Sequence, residues 1–262
     1  MSAIQIRFDN GAAYEDYMGK WSQLAGARFI DWLAPATGAR WLDVGCGNGA
    51  FTEMLATRCA PAALHGIDPS AEQLAFARQR PALAAAQLQT GNAMALPYAA
   101  STFDAAVMPL VIFFVPEPAK GVAEMVRVLT PGGIAAAYAW DMHGGGFPYN
   151  ALRLAITELG YVVPAPPSPE ASRLEALQAL WQEAGLREVQ TCAIEVQRSY
   201  ASFDDYWRIV RGGPSVGATL ATMAPADIER LQTQLRASLP IAADGSISYS
   251  ARAHAVKGRT AG

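Results

Sequence analysis

The 262-residue sequence is poor in cysteine and histidine and has no long apolar run. Its three cysteines, Cys46, Cys59 and Cys192, are odd in number and widely spaced, which indicates neither a disulfide framework nor a metal site. No stretch approaches the ~18 uninterrupted apolar residues of a membrane span, and residues 1–10 contain no apolar signal-peptide core. We therefore expect a cytoplasmic protein with no membrane partner.

Clusters of basic residues are also missing. The formal net charge is −3 and the isoelectric point is near 5.6, so the basic surface that a nucleic-acid binder needs is not expected. With 52% hydrophobic and 16% charged residues, the composition is that of a globular protein with a sizeable core. A small molecule is the partner that remains, and the chain is expected to be a monomer or a homodimer.

A glycine-rich stretch dominates what is present. Residues 41–49 read WLDVGCGNG, and Phe51, Met54 and Leu55 follow at helical spacing. This order predicts a strand, a glycine loop and a helix, an arrangement that brings backbone N–H groups close to a ligand. The spacing is not the G-x-G-x-x-G of dinucleotide binders, although a dinucleotide ligand or a tight structural turn stays open from these residues alone.

The pattern of Asp43, Gly45, Gly47 and Gly49 resembles motif I of the class I S-adenosyl-L-methionine (SAM) dependent methyltransferases. A second segment, residues 127–133 with the sequence RVLTPGG, is similar to the turn before the fifth strand in the branch that includes ubiquinone and menaquinone biosynthesis enzymes. The resemblance covers residues 38–140. It implies SAM as the cofactor and an α/β, Rossmann-like sheet of seven strands, mostly parallel with an antiparallel last strand.

The resemblance also implies a set of cofactor-binding residues. In this family the glycine loop, here Asp43, Gly45, Cys46 and Gly47, lies under the methionine and ribose portions of SAM. Asp68 stands where the family places an acid that accepts hydrogen bonds from both ribose hydroxyls, and Pro69 follows it. A carboxylate suits this task because it is an acceptor only. Asp68 before Pro69 is also a sound helix N-cap, so both interpretations stay open.

The adenine site implied by the resemblance departs from the family pattern. Asn92, followed by Ala93 and Met94, stands where the family usually has an acid that binds the adenine amino group. An amide oxygen still accepts a hydrogen bond, although Asn92 also fits a simple loop turn. Met108 and Pro109 at the end of the fourth strand are further candidates, because ligands of open α/β sheets bind at the carboxyl ends of strands.

Outside this core, we predict a single methyltransferase domain over residues 1–262. An N-terminal helix over residues 10–34 carries Tyr14, Tyr17 and Trp21, which either pack on the domain or also close over the cofactor. Insertions at residues 141–170 and 199–245 are expected to form a helical substrate lid. Core packing is the more ordinary role for the aromatic residues of the second insertion, and its Arg208 and Arg211 are candidates for a cationic contact.

The chemistry that these residues allow is transfer of a methyl group to O, N or C of a small, largely apolar molecule. Residues 111–115 form an apolar wall and supply no general base, so His143 is the one catalytic candidate, with an exposed loop histidine as the alternative. Three other functions stay open: an NAD-dependent oxidoreductase, a non-catalytic SAM-binding protein, and a related enzyme that performs aminopropyl transfer or cyclisation.

Overall fold

The computed structural model describes residues 15–214 and 216–262. Its strands form one seven-stranded sheet in the order β3-β2-β1-β4-β5-β7-β6. The strands are β1 (Arg40–Val44), β2 (Ala63–Asp68), β3 (Gln87–Thr90), β4 (Phe103–Pro109), β5 (Leu129–Trp140), β6 (Arg187–Tyr200) and β7 (Ile247–Arg259). Strands β1 to β5 pair in parallel, whereas β7 lies antiparallel between β5 and β6. The predicted fold class is confirmed.

Helices connect these strands. A short π-helix (Glu15–Gly19) runs directly into the first α-helix. The α-helices are α1 (Lys20–Leu33), α2 (Ala50–Arg58), α3 (Ala71–Ala77), α4 (Pro118–Val128), α5 (Asn150–Glu158), α6 (Leu174–Glu183), α7 (Phe203–Arg211), α8 (Val216–Leu220) and α9 (Pro225–Ser238). Residues 10–14 of the predicted N-terminal helix, with Tyr14, lie outside the described residues. Within the described part, no helix is long and apolar enough to cross a membrane.

The core lies on both faces of the sheet, as expected for parallel strands covered by helices. Trp41 on β1 is fully buried, and so are the small residues 135–137 of β5, which let helices approach the sheet closely. Trp181 of α6 is fully buried as well and donates a hydrogen bond to the Ala135 carbonyl at 2.9 Å. A buried indole N–H therefore finds a partner on the central strands.

Two local boundaries differ from the sequence-based expectation. The second helix of the core starts at Ala71, because the Ser70 hydroxyl rather than the Asp68 carboxylate accepts from the Gln73 N–H. Strand β5 starts at Leu129, directly after α4, so the Pro-Gly-Gly segment lies inside the strand. The C-terminal residues explain this second difference, since Thr260 N donates to the Gly133 carbonyl and Gly132 N donates to Ala261.

Strand order creates the site. The chain moves from β1 outward to β2 and β3, and then returns to place β4 on the other side of β1. The carboxyl ends of β1 and β4 therefore flank a topological switch point, where ligands of open α/β sheets bind. The glycine loop follows β1 at this point, and residues 110–114 follow β4.

Candidate active site

The backbone conformation of the glycine loop leaves space beside it. Gly45 and Gly47 have φ angles of +76° and +53°, in the left-handed region that favours glycine. The N–H groups of Gly45 and Cys46 donate to the Ile67 carbonyl at 2.7 and 3.0 Å, which ties the loop to β2. A Cβ on Gly47 would meet no atom nearer than the Gly45 carbonyl oxygen at 4.0 Å, so the space beside Gly47 is open.

Two adjoining cavities, of about 50 and 150 Å³, share this loop. The first is lined by Ser22, Asp43, Gly45, Cys46, Gly47, Asn48, Ala50, Phe51, Pro109, Leu110 and Tyr138. The second is lined by Gly45, Gly47, Asp68, Pro69, Ser70, Gln73, Pro109, Leu110, Val111 and Phe114. The four residues common to both come from the ends of β1 and β4, as the strand order requires.

Asp43 supplies a buried carboxyl group to the first cavity. Its Oδ2 accepts a hydrogen bond from the Thr52 hydroxyl at 2.7 Å, whereas Oδ1 has no hydrogen-bond partner in the described part of the chain. Burial raises the pKa of Asp43 to about 7, with a smaller contribution from the Asp68 carboxylate, and the Thr52 hydrogen bond opposes the rise. An orphaned carboxyl oxygen in a ligand-sized cavity is suited to a cationic or hydrogen-donating ligand group.

Asp68 supplies the carboxylate of the second cavity. Its Oδ2 accepts from Gly47 N at 2.9 Å and its Oδ1 from Ser70 N at 2.9 Å. Each oxygen retains acceptor capacity for a further donor. Burial raises the pKa of Asp68, and the two backbone hydrogen bonds oppose this rise. The carboxylate thus braces the glycine loop while it lines the cavity.

Leu110 forms the wall between the cavities. It has a φ angle of +60°, which is unusual for a branched residue, and its N–H donates to the Tyr138 carbonyl at 2.7 Å. Such strained residues cluster at functional sites. Val111 beside it packs against Gly45 so closely that a Cβ on that glycine would collide with the valine side chain. Phe114 continues the apolar wall of the second cavity.

A charge network fixes the far side of the glycine loop. The Arg80 guanidinium donates to the Asn48 carbonyl at 2.7 Å and to the carboxylates of Glu15 and Glu53 at 2.6 Å each. Asn48 also donates to Glu15 at 2.7 Å. Only 13% of the Arg80 side chain is exposed, so these charge-assisted bonds join the N-terminal helix, the loop and α2 with little screening. The sequence carries no motif for this network.

The structure brings together most of the predicted cofactor residues. Those that line the two cavities are Asp43, Gly45, Cys46, Gly47, Asp68, Pro69 and Pro109. Ser22, Tyr138 and Gln73 join them without having been predicted. A serine on the apolar stripe of the first helix was the available signal for Ser22, whereas Tyr138 and Gln73 carry no signal of their own.

Other predicted residues lie apart from these cavities. Trp21 is fully buried and donates from Nε1 to the Tyr200 hydroxyl at 3.1 Å, and Met108 is fully buried within β4. Asn92 accepts from Met94 N at 2.9 Å, the turn that was weighed as the alternative to adenine binding. The cofactor roles of Trp21, Asn92, Ala93, Met94 and Met108 stay predictions, as does that of Tyr14 outside the described residues.

His143 is likewise not among the cavity residues. Its Nε2 lies 3.0 Å from the Glu170 carboxylate, an ion pair when the imidazole is protonated. The loop that carries His143 is anchored by Asp141, which accepts from Gly144 N at 2.6 Å and from the Arg252 guanidinium at 2.7 and 3.0 Å. This loop is therefore fastened to β7. Neither cavity contains a histidine.

The segments after β5 and β6 meet at the N-terminal helix. The Tyr149 hydroxyl donates to the Tyr17 carbonyl at 2.6 Å, and the two rings stack with centroids 4.2 Å apart. Arg198 of β6 is buried and donates to the carbonyls of Asp16 and Tyr17 at 2.9 and 3.1 Å. In the second insertion Phe203 and Tyr206 are buried, and Arg208 pairs with Asp16 and Asp205 rather than standing free.

Comparison with known proteins agrees with this geometry. Residues 42–137 match the family model described as a methyltransferase domain. The chain is 28% identical over 249 residues to the 2-phytyl-1,4-naphtoquinone methyltransferase of Thermosynechococcus vestitus, an alignment that covers 88% of this chain and 93% of the relative. It is 37% identical over 108 residues to the ubiquinone/menaquinone biosynthesis C-methyltransferase of Roseobacter denitrificans, covering 40% of this chain and 43% of that protein.

Solved structures show the same fold. The YcgJ protein from Bacillus subtilis superimposes with a TM-score of 0.63 at 20% identity, covering 91% of this chain and 98% of that one. Together, the fold, the glycine loop and these similarities support a SAM-dependent methyltransferase that is similar to those of class I. It is similar to enzymes named as quinone methyltransferases.

Proposed function

We propose that the two adjoining cavities hold SAM and that the enzyme methylates a small, largely apolar molecule at O, N or C. The observation that carries this proposal is the pair of cavities that meet at Gly45 and Gly47, one with the Asp43 carboxyl and the other with the Asp68 carboxylate. Open space beside Gly47 and the orphaned Oδ1 of Asp43 fit a ligand with a cationic end.

The residues present divide the binding task. Asp68 is placed to accept hydrogen bonds from paired hydroxyl groups such as those of a ribose, and it keeps Gly47 oriented through the backbone N–H. Asp43 provides a carboxyl oxygen for an ammonium or N–H donor in the first cavity. Pro69, Val111 and Phe114 provide apolar contact in the second cavity.

SAM supplies a methyl group on a sulfonium, so the electrophile needs no activation by the protein. The main task of the chain is then to align the acceptor and to exclude water from the reacting atoms. Val111 and Phe114 supply an apolar wall for this purpose. A general base is required only for an acceptor that stays protonated near neutral pH, and His143 lies outside the two cavities.

Two observations support an apolar acceptor. Leu110, Val111 and Phe114 give the second cavity an apolar wall beside the Asp68 carboxylate, and the relative from T. vestitus is named as a methyltransferase of 2-phytyl-1,4-naphtoquinone, a largely apolar molecule. The helical segments at 141–170 and 199–245 would form the lid of one domain. We also infer a cytoplasmic enzyme that acts without nucleic acid or membrane, since the net charge is −3.

Titration calorimetry with SAM, S-adenosylhomocysteine and NADH, run in parallel on the purified protein, tests the cofactor assignment. Binding of the two sulfur compounds in the micromolar range with no NADH signal is the expected result. NADH binding without SAM binding would overturn the proposal. It would indicate instead that the glycine loop binds a dinucleotide, as in an NAD-dependent oxidoreductase. SAM binding without methyl transfer to any of a broad set of phenols, quinols, amines and acids would favour a non-catalytic binding protein.

A further inference from the structure

Arg153, in the first lid segment, is a cation with no oxygen acceptor among the residues that the structure describes. It lies on α5, four residues after Tyr149, and its side chain is half-buried. The guanidinium carbon sits over the Phe147 ring at 5.5 Å from the centroid, and the Phe147 and Tyr149 rings are 6.0 Å apart. The group is therefore enclosed by aromatic surface on at least one side.

Comparison with the other arginines makes this position distinctive. Four arginines of the described residues are not exposed: Arg80, Arg153, Arg198 and Arg252. Arg80 and Arg252 pair with carboxylates, and Arg198 donates to two backbone carbonyls. Within residues 15–214 and 216–262, the Arg153 guanidinium forms neither an ion pair nor a hydrogen bond.

Leaving such a group without an acceptor is costly. A guanidinium has five N–H donors in a planar fork, and removing it from water without replacing its hydrogen bonds opposes folding. Burial lowers the pKa of Arg153, and the nearby Tyr17 hydroxyl opposes this change. A carboxylate matches the fork with two parallel hydrogen bonds and restores the lost solvation, so it is the ligand that this position favours.

Arg153 is connected to the first cavity through the N-terminal helical segment. The Arg153 guanidinium interacts electrostatically with the Tyr17 side chain, and the Tyr17 ring stacks on the Tyr149 ring. Ser22, five residues after Tyr17 on the same helical segment, lines the first cavity. At about 1.5 Å of rise per residue, Tyr17 and Ser22 lie roughly 8 Å apart along the helix axis. An acceptor bound to Arg153 must therefore span at least this length of helix to reach the first cavity.

We propose that Arg153 binds a carboxylate group of the methyl acceptor, which is accordingly a small acid with an apolar or aromatic skeleton. This inference rests on the proposed function, because it concerns the acceptor of the same methyl transfer. Phe147 contacts the skeleton, and the Arg153 fork sets its direction. Arg153 is a specificity-determining residue and takes no part in bond formation.

Matched acid and amide pairs test the proposal by calorimetry on the enzyme saturated with S-adenosylhomocysteine. The probes are octanoate against octanamide and 3-phenylpropanoate against 3-phenylpropanamide, at pH 8, where both acids are ionised. The wild type should bind at least one acid tenfold or more tightly than its amide. Arg153→Gln should remove this preference, and Arg153→Lys should restore part of it, because lysine keeps the charge but not the fork.

Arg28→Gln is the matched control, since Arg28 is an exposed arginine on α1. This variant should keep the full preference for the acid. Equal binding of acid and amide by the wild type, absence of binding by every acid, or a preference that survives in Arg153→Gln would each overturn the inference. The titration with S-adenosylhomocysteine comes first, so failure of the cofactor assignment is seen separately. If Arg153→Gln does not fold, an undiminished preference in Arg153→Lys overturns the assignment to the guanidinium fork.

Discussion

The half of the chain that surrounds the glycine loop and the half that follows β5 use hydrogen bonds differently. Around the loop, Asp68 binds backbone N–H groups of Gly47 and Ser70, which are 21 and 2 residues away. After β5, Tyr149 and Arg198 bind the Tyr17 carbonyl across 132 and 181 residues. The half around the glycine loop is thus built by neighbouring strand ends. The half after β5 is built by side chains from distant segments.

This difference indicates which half of the chain tolerates amino-acid substitutions. A loop of backbone N–H groups depends on glycine positions and one bracing carboxylate, so few substitutions preserve it. A lid assembled from single side chains on different elements can exchange one residue for another and accept a different molecule. The variants below test whether binding of the cofactor and assembly of the lid are separable in this way.

The largest effect is expected for Asp68→Ala. Loss of charge-assisted hydrogen bonds to two hydroxyl donors, at about 1.5 kcal/mol or more each, should weaken SAM binding more than tenfold in calorimetry. Gly47 also loses its brace. Asp31→Ala, which removes an exposed acid paired with Arg58, should leave the affinity unchanged. An unaltered SAM affinity in Asp68→Ala would remove the ribose assignment.

A stability effect of about 2 kcal/mol is expected for Arg198→Gln, because the Asp16 carbonyl loses its Arg198 donor and the Tyr17 carbonyl keeps the Tyr149 hydroxyl but loses Arg198. The free energy of unfolding in denaturant measures it. Arg187→Gln changes an exposed arginine of the same strand and should lie within about 0.5 kcal/mol of the wild type. Equal stability of the two variants would contradict the view that Arg198 anchors the N-terminal segment.

A pH effect follows from Asp43, whose pKa rises from 3.8 to about 7 in the folded protein. The folded state holds this proton more tightly than the unfolded chain does. The resulting stability is fully present below about pH 3.8 and is lost as the pH rises through about 7. Its slope is at most about 1.4 kcal/mol per pH unit.

Unfolding of the ligand-free protein between pH 5 and pH 8 tests this effect, with Asp43→Asn as the comparison. The variant cannot titrate at position 43, so it should show a flatter dependence of stability on pH. Matching slopes for the two proteins would show that Asp43 titrates normally and that its burial is relieved in solution.

The smallest effect is expected for His143→Ala. His143 pairs with Glu170 and lines neither cavity, so SAM affinity should be unchanged and turnover should stay within about twofold. Arg173→Ala, which removes the other partner of Glu170, is a suitable control. A turnover that falls strongly at normal SAM affinity would instead support His143 as the general base.

Features set by residues close in sequence can be predicted from the sequence more readily than features set by contacts between distant residues. Asp43, Gly45, Gly47 and Asp68 were found because strand, loop and acid recur at short and regular spacing. A helix cap was the open alternative for Asp68, but Ser70 provides the cap, because both residue types cap helices and only the backbone shows which one is in place. The Pro-Gly-Gly turn was placed before β5, although pairing with the C-terminal residues draws it into the strand.

The sequence by itself determined the strand, glycine loop and helix of the site, because local periodicity and glycine conformation are specified by neighbouring residues. The seven-stranded fold and SAM as the cofactor were implied by the resemblance of its motifs to class I methyltransferases. Only the tertiary structure decided that Ser22 and Tyr138 line the first cavity, that Arg80 clamps the loop, and that Arg153 lacks an acceptor among the described residues. Each depends on side chains from separate elements meeting in space, and no pattern within one element records such a meeting.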